Sequence, residues 1–111
     1  MKDDAFYLRH ILESIGRVEE DTAAGVASFR GSKTIQDAVV RNLQVLSESC
    51  QRLSPALKSR WPQVEWGQIA AFRNVLVHDY LGLDMDQIWK IVQSDVPRLK
   101  QTVEGMLREI R

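Results

Sequence analysis

From Asp3 to about Ala24 the apolar residues Leu8, Ile11, Leu12, Ile15 and Val18 recur at spacings of three and four. That is one stripe of an amphipathic helix, and Asp3 or Asp4 can cap its start. Gly25, Ser28, Gly31 and Ser32 mark 25–33 as a break, with Thr34 the N-cap candidate for a second helix. This helix is predicted to reach about Leu53, with Ile35, Val39, Leu43, Leu46, Cys50 and Leu53 on one face. A stripe that long needs another helix to cover it, which makes Cys50 a core thiol.

Ser54 and Pro55 form a cap and first-turn pair, and Trp61-Pro62 ends the short helix that follows. The next predicted helix carries Trp66, Ile69, Ala70, Arg73, Leu76 and Val77. It ends near Tyr80 to Gly82, with Gly82 in the left-handed conformation. Asp84 and Gln87 resemble a capping box, after which Ile88, Ile91, Val92, Leu99, Val103, Met106 and Ile110 continue a helical stripe. Pro97 predicts a kink, or a restart capped by Ser94 or Asp95. No segment alternates with period two over a useful length. The expectation is an all-α protein: one domain over 1–111, an antiparallel up-down bundle of four to five helices.

Charge narrows the possible partners. Fifteen basic and fifteen acidic side chains cancel, so positive potential for a nucleic acid must be local or be assembled by pairing two chains. The start of the chain, with Lys2, Asp3, Asp4 and Arg9, lacks the apolar core of a signal peptide. A single cysteine excludes an intramolecular disulfide, so the cytoplasm is the expected location. With two histidines and one cysteine there is no metal-ligand cluster, and there is no glycine-rich phosphate loop; no metal and no cofactor are expected.

What remains is a polar set within an apolar helix: Arg73, Asn74, His78, Asp79 and Tyr80. Arg73 and Tyr80, seven apart, share nearly one bearing with Ile69 and Leu76. A structural account pairs Arg73 with Asp79 or Glu48, places His78 at a helix end and packs Tyr80 at the rim. A functional account is acid-base work on a phosphodiester. Histidine can take a proton from a ribose 2′-hydroxyl near neutral pH, and the arginine fork matches a phosphate gaining charge. Residues five apart sit about 140° from each other on an ideal helix, so Arg73 and His78 of one chain cannot easily face one phosphate unless the helix ends between them. A two-fold dimer pairing this helix with its mate would place both residue types from each chain around a shared cleft.

Arg73-x-x-x-x-His78-x-Tyr80, with Asn74 after the arginine, resembles the R-x4-H-x-Y signature of the HepT-like branch of the HEPN superfamily. The resemblance extends over Asp37 to Leu43 with Glu48, and over Asp79 to Asp84, Ile88 to Val92 and Val96 to Leu99. One departure is Leu46-Ser47-Glu48-Ser49, where relatives commonly carry glycine and alanine around the glutamate, a difference expected to leave the motif untouched. The resemblance implies a homodimeric, metal-independent endoribonuclease toxin. His78 would be the general base, Arg73 the phosphate ligand and Asn74 a supporting residue. It further implies a nucleotidyltransferase antitoxin that attaches AMP to Tyr80, the bulky anion lying beside Arg73 and repelling RNA. The alternatives are an inactive HEPN scaffold that docks the nucleotidyltransferase, and a structural protein dimerising through the Arg73 helix.

Other residues read more simply. Arg41 and Glu48, opposite the apolar stripe of their helix, are expected to form a solvated pair, with a place in the dimer contact as the alternative. Trp61, Trp66 and Trp89 are expected in the core or an interface, and His10 at the surface. Lys58, Arg60, Arg98 and Lys100 could line an RNA rim, although scattered cations usually only solubilise.

Overall fold

A computed structural model describes residues 3–110. Met1, Lys2 and Arg111, part of the expected domain, lie outside the described residues. Helix α1 (Asp4–Asp21) starts where the Asp3 side chain accepts the Phe6 amide, and it buries Leu8, Ile11, Ile15 and Val18. Helix α3 (Lys33–Gln51) is capped by Ser32 rather than Thr34, because the Ser32 hydroxyl accepts the Ile35 amide. It buries Val39, Val40, Leu43, Leu46 and Cys50. Ser54 caps α4 (Pro55–Ser59), whose first residue is the expected proline.

Between α1 and α3 the expected break is helical, as α2 (Val26–Gly31). Gly25 precedes it at φ 96°, a left-handed conformation that favours glycine. The Gln36 amide donates to the carbonyls of Phe29 and Arg30, adding to the long bond from the Ser32 N–H to Phe29 at that helix end. Phe29 is fully buried, its ring centre 5.2 Å from that of Trp89.

Helix α5 (Trp66–His78) is followed by a 3-10 turn over Tyr80–Gly82. Gly82 is therefore not the left-handed cap expected from the sequence; Gly25 alone has positive φ among the described residues. A Cβ there would lie 2.6 Å from the exposed Asp79 carboxylate, which would have to turn aside.

Asp84 caps α6 (Met85–Lys90) by accepting the Asp86 amide, and a π-helical turn over Ile91–Asp95 leads straight into α7 (Val96–Ile110). Neither Ser94 nor Asp95 restarts the helix. The Val96 amide reaches back five residues to the Ile91 carbonyl, a wider turn placed just before Pro97, which has no N–H to give. Ile110, placed on the stripe by spacing, is exposed.

Bonds between helices fix their directions. Asp4 accepts from Ser54, just past the end of α3, so α1 and α3 run antiparallel. Lys100, early in α7, reaches Glu19, late in α1. Tyr80, past α5, reaches Asp37 near the start of α3. The four long helices thus alternate up and down; α2, α4 and α6 are short additions, so a count of four to five holds only for the larger pieces. No helix among the described residues is long and apolar enough to cross a membrane.

The core thiol is as expected: Cys50 is 2% exposed, and burial pushes its pKa up to about 12. Thiolate is the reactive form, so at pH 8 the folded chain is expected to react with a thiol reagent only as fast as it unfolds. A stoichiometric, rapid reaction of the native chain would contradict this placement.

Candidate functional site

The motif lies on α5, which divides its residues between two faces. The inner side turns half-buried Ile69, Phe72 and Arg73 and fully buried Leu76 into the bundle. The outer side exposes Gly67, Ala71, Asn74, Val75 and His78, which recur at helical spacing. An outer face with this much apolar character explains why the helix shows so little contrast between its two sides.

Arg73 points along the seam with α3. Its Nη2 lies 3.4 Å from Glu48 Oε1, and its Nη1 donates to Asn74 Oδ1 at 3.3 Å. Gln44 donates to the same Glu48 oxygen at 3.3 Å, one turn earlier on α3. Arg73 Nε is buried and has no partner, which leaves one donor of the guanidinium unused. With the Arg73 and Glu48 side chains 30% and 38% exposed, water still reaches the pair, and its net worth is below about 1 kcal/mol. Asn74 bridges the two faces of α5: it bonds the inward guanidinium while sitting one turn from His78 on the outer stripe.

The Glu48 contact is one of the two pairings the sequence offers for Arg73, and it corrects another expectation. Glu48 does not pair with Arg41 across solvent, because α3 is covered on two sides, by α1 and by α5, and the side opposite the α1 stripe is the one that meets Arg73. Within Leu46 to Ser49 it is the glutamate, shared with relatives, that bonds the motif.

His78 is the last residue of α5 and is exposed. Tyr80 turns the other way. Its hydroxyl donates to Asp37 Oδ1, while Lys33 Nζ lies 3.3 Å from that same oxygen and 5.0 Å from the centre of the Tyr80 ring. The hydrogen bond between them raises the pKa of Tyr80 and lowers that of Asp37, and the bond to Asp37 raises that of Lys33. The carboxylate's contribution is present above its unfolded pKa and lost as pH falls through the lowered folded value. Those of the phenol and ammonium are present below their unfolded values and lost as pH rises through the raised ones. The cluster is thus intact across the neutral range.

Asp37 and Glu48 are eleven residues apart on α3, about 16 Å along the helix axis. Tyr80 and Arg73 therefore share the α3-facing side, as their spacing predicts, but contact it at separate points. A group attached to the Tyr80 hydroxyl would sit beside Lys33, and not beside Arg73 of the same chain as expected. Within one chain the fold joins Arg73 to Asn74 and leaves His78 on the opposite face. Asp37 and Lys33 escaped sequence reasoning. Their spacing of four on a helix is a legible local pair, but nothing local ties it to Tyr80.

The remaining candidates are quieter. Arg60, Arg98 and Lys100 are bonded to Glu109, Asp95 and Glu19, and Lys58 to the Gln51 carbonyl, so they form no free basic rim. The three tryptophans are half-buried against the core, as expected. His10 is half-buried, its ring 4.5 Å from that of Phe6. A groove of about 700 Å³ between α5 and α7 has Ile69, Phe72 and Leu99 in its walls and none of the motif's polar residues. Among the described residues no three His, Cys, Asp or Glu side chains converge as metal ligands would.

Compared with known proteins, residues 11–106 match the HepT-like family, described as "Ribonuclease HepT-like". A Methanocaldococcus jannaschii protein whose name joins a gamma-glutamylcyclotransferase to a candidate RNase is 34% identical over 98% of this chain. The chain spans 50% of that relative's length. A second protein of that organism, named as a candidate RNase, is 36% identical over 93% of this chain and 95% of its own length. A Thermococcus cleftensis protein named a probable ribonuclease HepT is 34% identical over 90% of this chain and 92% of its own. No solved structure matches.

Proposed function

Because the chain belongs to the HepT-like ribonuclease family, we propose that it is an endoribonuclease toxin whose active site forms between two copies. The observation that carries this reading is the division of α5: Arg73 is held inward by Glu48 and Asn74, while His78 stands outward on an exposed stripe with Ala71 and Val75. Pairing that stripe with its mate buries the apolar positions and brings the imidazoles and the Asn74 amides to one seam, with each guanidinium reached through the Asn74 side chain that bonds it.

In this site His78 takes the proton from a ribose 2′-hydroxyl, and the 2′-oxygen attacks the neighbouring phosphorus. The 5′-oxygen leaves and is protonated, giving a 2′,3′-cyclic phosphate. Arg73 binds the phosphate oxygens as negative charge builds, and Asn74 orients the guanidinium. No metal ion is needed for these steps. Control comes from a nucleotidyltransferase antitoxin that transfers AMP to the Tyr80 hydroxyl.

Incubation of the purified chain with an RNA oligonucleotide in EDTA tests the reading. Fragments ending in cyclic or 3′-phosphate are expected. Intact RNA would instead favour an inactive scaffold that serves only to dock the nucleotidyltransferase, and cleavage confined to metal-containing buffer would refute the mechanism.

A further inference from the structure

The Tyr80 hydroxyl does not stand alone at the surface; it is held in a small constellation of its own. We propose that Lys33, Asp37 and Tyr80 form a built acceptor site for a nucleotidyl group, in which Asp37 receives the phenolic proton and Lys33 meets the incoming phosphate. The inference rests on the assignment of Tyr80 as the modified residue and extends it to side chains 43 and 47 positions upstream, which the fold brings to it.

The chemistry demands such a pair. A neutral phenol is a weak nucleophile, and it gains strength when a neighbouring base takes its proton as the new bond forms. Asp37 Oδ1 already accepts that proton in a hydrogen bond. The bond raises the phenol's pKa and lowers the carboxylate's, so in the resting chain the proton stays on Tyr80 and moves only as an electrophile arrives. In the transfer, the α-phosphorus of a nucleoside triphosphate gains a bond to the Tyr80 oxygen and loses its bond to the bridging oxygen of pyrophosphate, which departs. The proton passes to Asp37 and then to water. Lys33, beside both groups, is placed to contact a non-bridging phosphate oxygen and offset its developing charge.

Access fits as well. Tyr80 is 36% exposed and Leu81, beside it, 96%, while the Lys33 and Asp37 side chains are 67% and 49% exposed. A partner enzyme can therefore reach the oxygen without unfolding the bundle. The other tyrosine, Tyr7, is half-buried with its ring edge against Phe6.

The test follows the mass gain of one or more AMP units when the full chain is incubated with its partner nucleotidyltransferase and ATP. Asp37→Asn preserves the shape and an accepting oxygen but cannot take a proton. It is expected to slow modification by about 10²-fold or more, with Asp37→Glu recovering part of the rate and Lys33→Ala slowing it less. Circular dichroism checks that each variant is folded. Modification of Asp37→Asn at the wild-type rate would overturn the proposal, and so would a loss that Asp37→Glu does not recover, since that would mean Asp37 only shapes the turn. If the wild-type chain gains no AMP, or gains it equally as Tyr80→Phe, the acceptor assignment itself falls and the inference with it.

Discussion

Alanine at His78 is expected to slow RNA cleavage by about 10²–10⁴-fold, the range for loss of a positioned general base, while the unfolding midpoint stays where it was. The second half follows from position: His78 is exposed in the last turn of α5, and a substitution there costs within about 0.5 kcal/mol. Arg73→Ala is expected to cost a comparable factor in cleavage and also some stability. It leaves Glu48 without its cation, but at a site water reaches, so the penalty stays near 1 kcal/mol. Arg73→Lys should rescue little, because one ammonium cannot reproduce a fork that binds Glu48, Asn74 and phosphate together. Cleavage rates with an RNA oligonucleotide, measured beside urea unfolding curves, separate these effects. Undiminished cleavage by His78→Ala would remove the imidazole from the mechanism.

The largest expected effect on stability lies far from the motif. Phe29→Ala should cost about 3–5 kcal/mol, since it deletes a fully buried ring and leaves a cavity under the shortest link in the bundle. The loss should spread. Phe29 is the one buried residue of α2, and its ring packs against Trp89 on α6, so the variant leaves the two short helices joined by the exposed Arg30–Asp86 ion pair. Denaturant unfolding followed by tryptophan fluorescence would report it, and a change below about 1 kcal/mol would show that α2 is not anchored in this way.

Helix α2 also shows where sequence reading stops. Its six residues carry no stripe, and the glycines and serines around it look like a loop. What makes it helical is the Gln36 side chain closing its end and the burial of Phe29, both supplied by elements further along the chain. By contrast, α1, α3 and α7 were legible because each carries a sustained stripe, and the caps at Asp3, Ser54 and Asp84 were legible because capping is a matter of three or four neighbours.

The site divides in the same way. An arginine on an apolar stripe announced itself, and its separation from His78 around the helix followed from geometry alone. The sequence offers Glu48 as one of two partners for Arg73, yet the single stripe read for α3 points it at solvent, whereas a central helix is covered from two directions. Asp37 could not be joined to Tyr80 from sequence, because the two are 43 positions apart on different elements.

The claim on which the rest depends is that the reacting groups come together from two copies, and mixing variants addresses it directly. Arg73→Ala and His78→Ala chains, each inactive, are unfolded together, refolded and assayed. Random pairing makes about half of the dimers mixed, each retaining one intact arginine and one intact histidine on different chains. The account predicts that cleavage returns to a measurable fraction of wild type in the mixture and in neither variant refolded by itself. A mixture as inactive as its components would contradict it.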